Sequence, residues 1–174
     1  MKLINWIIIK WQLVMDWFSR HLFGHSILSS VKVTPHVYLG GSFTAENLKR
    51  IKKWGITAVV SMREAEPPLG IKTLHLPTRD GHAPTPEDLE EGVEFIRKEV
   101  AKDGRVYVHC REGIGRGPTM MIAYLISIGY GLDEAIKLIK KVRVFIKPTT
   151  PQINALKKYE QKIEKKGTVH PEES

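Results

Sequence analysis

Apolar positions follow three rhythms along the 174-residue chain. Over residues 2–23, Leu3, Ile4, Trp6, Ile7, Ile8, Trp11, Leu13, Val14, Met15, Trp17 and Phe18 alternate with scattered polar residues. On a helical wheel Asn5, Gln12, Asp16, Ser19 and Arg20 gather within about 100° of arc, which predicts an N-terminal amphipathic helix. Ile9 and Phe23 intrude on its polar side. From residue 31 the rhythm changes to short runs rich in β-branched residues, separated by longer stretches of helical period.

Those runs predict strands at Val31–Val33 and Val37–Leu39 around Thr34-Pro35, and at Ile56–Met62, Ile71–Leu76 and Arg105–His109. Between them, Thr44 caps a helix that runs to Trp54 and ends at Gly55. Thr85, followed by Pro86 and acidic residues at 87, 88, 90 and 91, opens a second helix that reaches about Lys102. Asp103-Gly104 breaks it. The stretch Pro118–Ile128 is apolar on nearly every side and predicts a buried helix. Two amphipathic helices, about 133–145 and 151–166, follow. Strands alternating with helices in this manner predict an α/β fold, a three-layer sandwich with a central, mainly parallel sheet flanked by helices. The expected organisation is an N-terminal helical segment over 1–28, one domain over 29–167 and a frayed tail over 168–174.

Composition narrows the partners. An apolar content of 42% is sufficient for one packed core. The excess of 27 Lys and Arg over 19 Asp and Glu favours anionic partners: phosphoesters, acidic lipid headgroups or nucleic acid. Nucleic acid is the weakest of the three, because no zinc-finger, helix-turn-helix or RNA-binding pattern is present. Lys10, Gln12 and Asp16 interrupt any secretory or membrane-spanning stretch, so the expected compartment is the cytoplasm. Three of the four Trp fall in residues 2–23. That pattern suits packing against the domain or a second subunit, peripheral contact with a membrane surface, or a cleaved segment.

The chemistry concentrates in Val106-Tyr-Val-His-Cys-Arg-Glu-Gly-Ile-Gly-Arg-Gly-Pro-Thr-Met120, a strand running through a glycine-containing loop into a helix. Backbone N–H groups of residues 111–116 are placed to curl around a tetrahedral oxyanion at the positive end of that helix. Gly113 and Gly115 permit the curvature, and Arg116 offers a planar fork for two phosphate oxygens. Cys110 is the only cysteine. The helix N-terminus, Arg116 and His109 beside it favour the thiolate, the nucleophilic form. A buried core cysteine would need neither the two glycines nor the arginine.

Cys110 to Arg116, preceded by His109, resembles the Cys-x5-Arg signature of the protein-tyrosine phosphatase superfamily. Val33-Thr-Pro-His-Val-Tyr-Leu-Gly40, a helix and then Gly55-Ile-Thr-Ala-Val-Val60 resemble the opening of its dual-specificity class. The resemblance covers about residues 31–160. It implies phosphomonoester hydrolysis through a cysteinyl-phosphate, without cofactor or metal, on a phosphorylated protein or a phospholipid. It implies Cys110 as nucleophile, Arg116 as phosphate clamp and Asp80, in the loop Leu76-Pro-Thr-Arg-Asp-Gly-His-Ala-Pro84, as general acid. Arg111, Glu112, Gly113, Ile114 and Gly115 become the substrate-binding loop. Gln152, in Lys147-Pro-Thr-Thr-Pro-Gln-Ile-Asn154, matches the polar residue that helps place the hydrolytic water, although the first turn of a helix also suits a solvent-facing side chain. His82 is expected to be solvated.

One position departs from the pattern. The family usually carries Ser or Thr after the arginine, to support the departing thiolate, and this chain carries Gly117. Gly115-Arg-Gly-Pro118 is similar to the phosphatases of regenerating liver, which have Ala-Pro there. Slow turnover, with a phosphate-binding adaptor as its extreme, follows from that glycine. A rhodanese-like enzyme would not need Asp80, and a small arsenate reductase would need further cysteines and a loop near the N-terminus.

Overall fold

A computed structural model describes Val14 and residues 30–43, 45–65 and 70–167. Val14 aside, the amphipathic helix expected over 2–23 lies outside the described residues, as do the Thr44 cap and the tail after Gly167. Strands β1 (Val31–Lys32), β2 (Val37–Gly40), β3 (Ala58–Ser61), β4 (Lys72–His75) and β5 (Val106–His109) form one sheet in the order β1-β2-β5-β3-β4. Only the β1–β2 pair is antiparallel; β2, β5, β3 and β4 run parallel. The helices are α1 (Ala45–Lys53), α2 (Pro86–Val100), α3 (Arg116–Ser127), α4 (Leu132–Val142) and α5 (Thr150–Gly167).

The period-two alternation of the strands sorts side chains onto two faces. Val37, Leu39, Ala58, Val60, Val106 and Val108 face α2 to α5 in the main core. Val59 and Tyr107 face the opposite way and pack with Ile51 of α1 and Ile56, flanked by Tyr38, Phe43 and Trp54. Helices on both faces complete the three layers that the alternating pattern predicts. Helix α3 is buried from Arg116 through Ile126, as its all-round apolar sequence requires.

Element ends differ from expectation in two informative places. Helix α3 begins at Arg116, two residues before Pro118, because the Thr119 N–H already donates to Gly115 O at 2.9 Å and closes a turn around the loop. Helix α4 stops at Val142, short of residue 145, because Arg143 leaves helical geometry (φ −142°, ψ 84°) and turns its side chain inward. Helix α2 starts as read: Thr85 Oγ1 accepts from the Asp88 N–H at 3.1 Å, and Asp88 Oδ2 accepts from the Thr85 N–H at 3.3 Å.

Register places the site. Gly40, His109 and Ser61 are level across β2, β5 and β3. Gly41, Cys110 and Met62 therefore leave the sheet together at the carboxyl ends of three parallel strands, where open α/β sheets bind ligands. Among the described residues no helix is long and apolar enough to cross a membrane.

Candidate active site

Every carbonyl from residue 111 to 115 is held from outside the loop. Arg111 O accepts from the Ser42 N–H at 2.9 Å and from Ser42 Oγ at 3.0 Å. Glu112 O and Gly113 O each accept from Arg143, through Nη2 and Nε, at 2.8 Å. Ile114 O accepts from the Lys147 N–H at 2.8 Å, and Gly115 O from the N–H and hydroxyl of Thr119, both at 2.9 Å. A planar trans peptide points its N–H opposite to its C=O. Five carbonyls turned outward thus turn the N–H groups of residues 112–116 inward, where an oxyanion would sit.

Cys110 lies at the base of this ring, 2% exposed, and its Sγ accepts from the Gly113 N–H at 3.1 Å. Gly113 has φ 68°, and a Cβ there would meet Gly40 O at 2.4 Å, so the turn requires glycine. His109 is fully buried, and desolvation lowers its pKa from 6.5 to about 3, against the opposing pull of a 3.2 Å contact from Nδ1 to Cys110 O. The imidazole is neutral. The expected electrostatic help from His109 is therefore replaced by a hydrogen bond that orients the cysteine peptide.

Arg116 is buried beneath the loop. Its Nη1 donates to Thr78 O at 2.6 Å and Met62 O at 3.3 Å, and its Nη2 lies 2.9 Å from Asp80 Oδ1. Its Nε is buried with no hydrogen-bond partner among the described residues. A buried guanidinium donor without an acceptor is costly, and an arriving oxyanion would relieve it. Asp80 has a side chain 74% exposed, with its N–H donated to Glu64 Oε1 at 3.2 Å. The geometry brings Cys110, Arg116 and Asp80 together. The cleft beside them, about 420 Å³, is lined by Ser42, Arg63, Glu64, Ala65, Arg111 and Arg116. Arg111 is exposed at its rim, Glu112 and Ile114 are half-buried, and Gly115 packs against Gln152.

Gln152 does not face solvent. It is fully buried, its Oε1 accepts from the Thr149 N–H and its Nε2 donates to His82 O, both at 2.9 Å. The His82 ring is exposed, with Nδ1 3.0 Å from Asp80 O. Four contributors escaped the sequence reading: Ser42, Arg143, Lys147 and Thr149. Arg143 had a detectable signal, a lone cation in the apolar run Val142-Arg-Val-Phe-Ile146. The others act through tertiary proximity alone.

A parallel sheet that delivers a thiol, a ring of inward amides and an arginine to one loop has the arrangement of a cysteine-dependent phosphatase. The chain belongs to the dual specificity phosphatase family: residues 37–162 match the model described as "Dual specificity phosphatase, catalytic domain". It is 31% identical to human dual specificity protein phosphatase 5 over 138 residues, which cover 76% of this chain and 36% of that protein. The chain thus spans about a third of that relative's length. Human phosphatidylglycerophosphatase and protein-tyrosine phosphatase 1 is 36% identical over 102 residues, 58% of this chain and 51% of that protein. A crystal structure of PTPMT1 in complex with PI(5)P superposes with a TM-score of 0.74 at 27% identity, covering 80% of this chain and 99% of that one.

Proposed function

We propose that the chain hydrolyses phosphomonoesters of proteins, at phosphotyrosine and phosphoserine or phosphothreonine, in two balanced steps, with residues 29–167 as the catalytic unit. Cys110 Sγ attacks phosphorus; the S–P bond forms, the P–O bond to the leaving group breaks, and Asp80 gives that oxygen its proton. In the second step water attacks phosphorus and loses its proton to Asp80, the P–S bond breaks, and inorganic phosphate leaves. The inward amides and Arg116 stabilise the equatorial oxygens throughout. The ester also takes Arg116 from Asp80, which leaves the carboxyl beside the leaving oxygen. Neither step requires a cofactor.

The observation that carries this reading is the ring of outward carbonyls around Sγ, with the unsatisfied Arg116 Nε beneath it. Cys110→Ser is expected to lower hydrolysis by roughly three orders of magnitude or more while the folded protein still binds a phosphorylated peptide. Activity that survives in this variant removes the nucleophile. Asp80→Ala should slow alkyl phosphates more than aryl phosphates, since proton donation matters in proportion to leaving-group basicity. Equal losses on both would take Asp80 out of acid catalysis.

A lipid phosphate is the second reading, favoured by the likeness to a structure that holds PI(5)P and by the arginines Arg63 and Arg111 in the cleft. Rates on phosphotyrosine and phosphothreonine peptides, set against a phosphoinositide in vesicles, separate the two. Residues 2–23 are the contact segment in this reading, toward the domain, a second copy or a membrane surface; vesicle flotation and sedimentation distinguish these. A lone thiol nucleophile suits the reducing cytoplasm.

A further inference from the structure

The segment from Lys147 to Gln152 touches both loops of the site. On one side the Lys147 N–H donates to Ile114 O, and a Cβ on Gly115 would lie only 3.0 Å from Gln152 Oε1. On the other side Thr149 Oγ1 donates to Gly81 O at 2.9 Å and Gln152 Nε2 donates to His82 O at 2.9 Å. Gly81 and His82 directly follow Asp80.

Thr149-Thr-Pro-Gln152 has the spacing of a capping box at the start of α5. Half of that box forms, since Gln152 Oε1 accepts from the Thr149 N–H, and Thr149 O accepts from the Ile153 N–H at 2.9 Å. The Thr149 hydroxyl proton goes elsewhere, across to Gly81. Capping requires an acceptor from the hydroxyl and has no use for its hydrogen. The Gln152 amide nitrogen likewise leaves its own helix for His82. Two donors, one just before α5 and one in its first turn, thus close on two consecutive carbonyls of the loop that carries the general acid.

Asp80 needs such a fixture. Its own side chain is largely exposed and reaches the site through Arg116, the group a phosphate would claim. Once Arg116 turns to the ester, the backbone at 81 and 82 is what keeps the carboxyl over the leaving oxygen. Gly81, at φ 74°, makes this backbone flexible unless it is tied.

We propose that Thr149 and Gln152 are positioning residues that latch the Asp80 loop to the phosphate loop through Gly81 O and His82 O. This rests on the hydrolytic reading above and on Asp80 as its acid. The test compares kcat for an alkyl and an aryl phosphate in wild type, Thr149→Val, Thr149→Ser, Asp80→Ala and the Asp80→Ala/Thr149→Val double variant. Thr149→Val is expected to lower kcat on the alkyl phosphate about tenfold more than on the aryl phosphate, reproducing part of the Asp80→Ala pattern. Thr149→Ser restores the donor and should restore the rate. The double variant should be no slower than Asp80→Ala alone, because a latch has nothing to position once the acid is gone.

A second measurement does not depend on turnover. Trypsin should cleave after exposed Arg79 faster in Thr149→Val than in wild type or Thr149→Ser, as read by fragment mass. Equal losses on both esters, additivity with Asp80→Ala, or unchanged cleavage at Arg79 would overturn the latch. An Asp80→Ala protein that keeps its alkyl-phosphate rate would overturn the acid assignment itself, and the latch with it.

Discussion

Gly117 follows Arg116 in the first turn of α3, and a Cβ placed there would lie 3.3 Å from Leu39 Cδ1 and 3.5 Å from Cys110 N. The first contact is the end of a flexible side chain, which needs to give by a few tenths of an ångström. Gly117 is not among the residues with positive φ, so serine meets no backbone penalty. Thr119 cannot stand in for the missing hydroxyl, since its Oγ1 already donates to Gly115 O. Breakdown of the cysteinyl-phosphate should therefore limit turnover, with a burst of leaving group before a slower steady state. Gly117→Ser would add a donor beside the departing thiolate, worth about 1 to 3 kcal/mol, and should raise the steady rate about tenfold while shrinking the burst. A wild type without a burst, together with a folded variant that is no faster, would show that glycine is no handicap here.

At the scale of elements, the phosphate loop is shaped by neighbours that lie far from it in sequence. Arg143, at the end of α4, is buried and stacks on Phe145 at 4.6 Å while satisfying Glu112 O and Gly113 O. Arg143→Met keeps the stem and leaves two carbonyls short of their donors. The expected cost is about 2 to 4 kcal/mol, read as a lower urea midpoint, with KM for a phosphate ester raised more than the melting shift alone explains. A variant with wild-type stability and KM would show that the loop keeps its shape unaided.

The same contrast explains how much of the site was legible in the sequence. Cys110, Gly113 and Arg116 are a local signal, because seven consecutive residues contain both the thiol and the turn that aims it. Asp80 was singled out by the family resemblance of its loop, and the fold sets its carboxylate against Arg116. Arg143, Ser42 and Thr149 were not, because only the folded sheet and α5 bring them to residues 111–115 and 81. Gln152 was ambiguous for the same reason: its helix position allowed a solvent face, and packing against Gly115 decided otherwise. The sheet itself was readable from β-branched runs bounded by Gly and Pro, whereas strand ends were not. Four of the five strands are shorter than their predicted runs, since residues such as Ile56, Met62 and Leu76 are buried beyond the last ladder pair, whereas β2 runs one residue further, to Gly40.

For the whole molecule, the buried neutral imidazole of His109 links folding to pH. Its folded pKa of about 3 lies below the ordinary 6.5, so in the unfolded chain it takes up a proton that the folded chain refuses. Above pH 6.5 both states are neutral and nothing is lost. As pH falls from 6.5 toward 3 stability is withdrawn, and the loss is complete once the folded form also protonates; its full size is about 5 kcal/mol. Urea midpoints measured from pH 7 to pH 4 should fall more steeply in the wild type than in His109→Asn. Parallel curves would place the acid sensitivity in the carboxylates instead.

The depth of Sγ has a consequence for oxidation. Cys110 is the single thiol of the chain and lies almost wholly out of solvent at the floor of the amide ring. A small peroxide that reaches it would produce a sulfenic acid with no second cysteine in these 174 residues to capture it as a disulfide. Recovery would then depend on an outside reductant slender enough to reach a cysteine that is 2% exposed, so that a phosphate bound over it would shield the sulfur from damage and from repair alike.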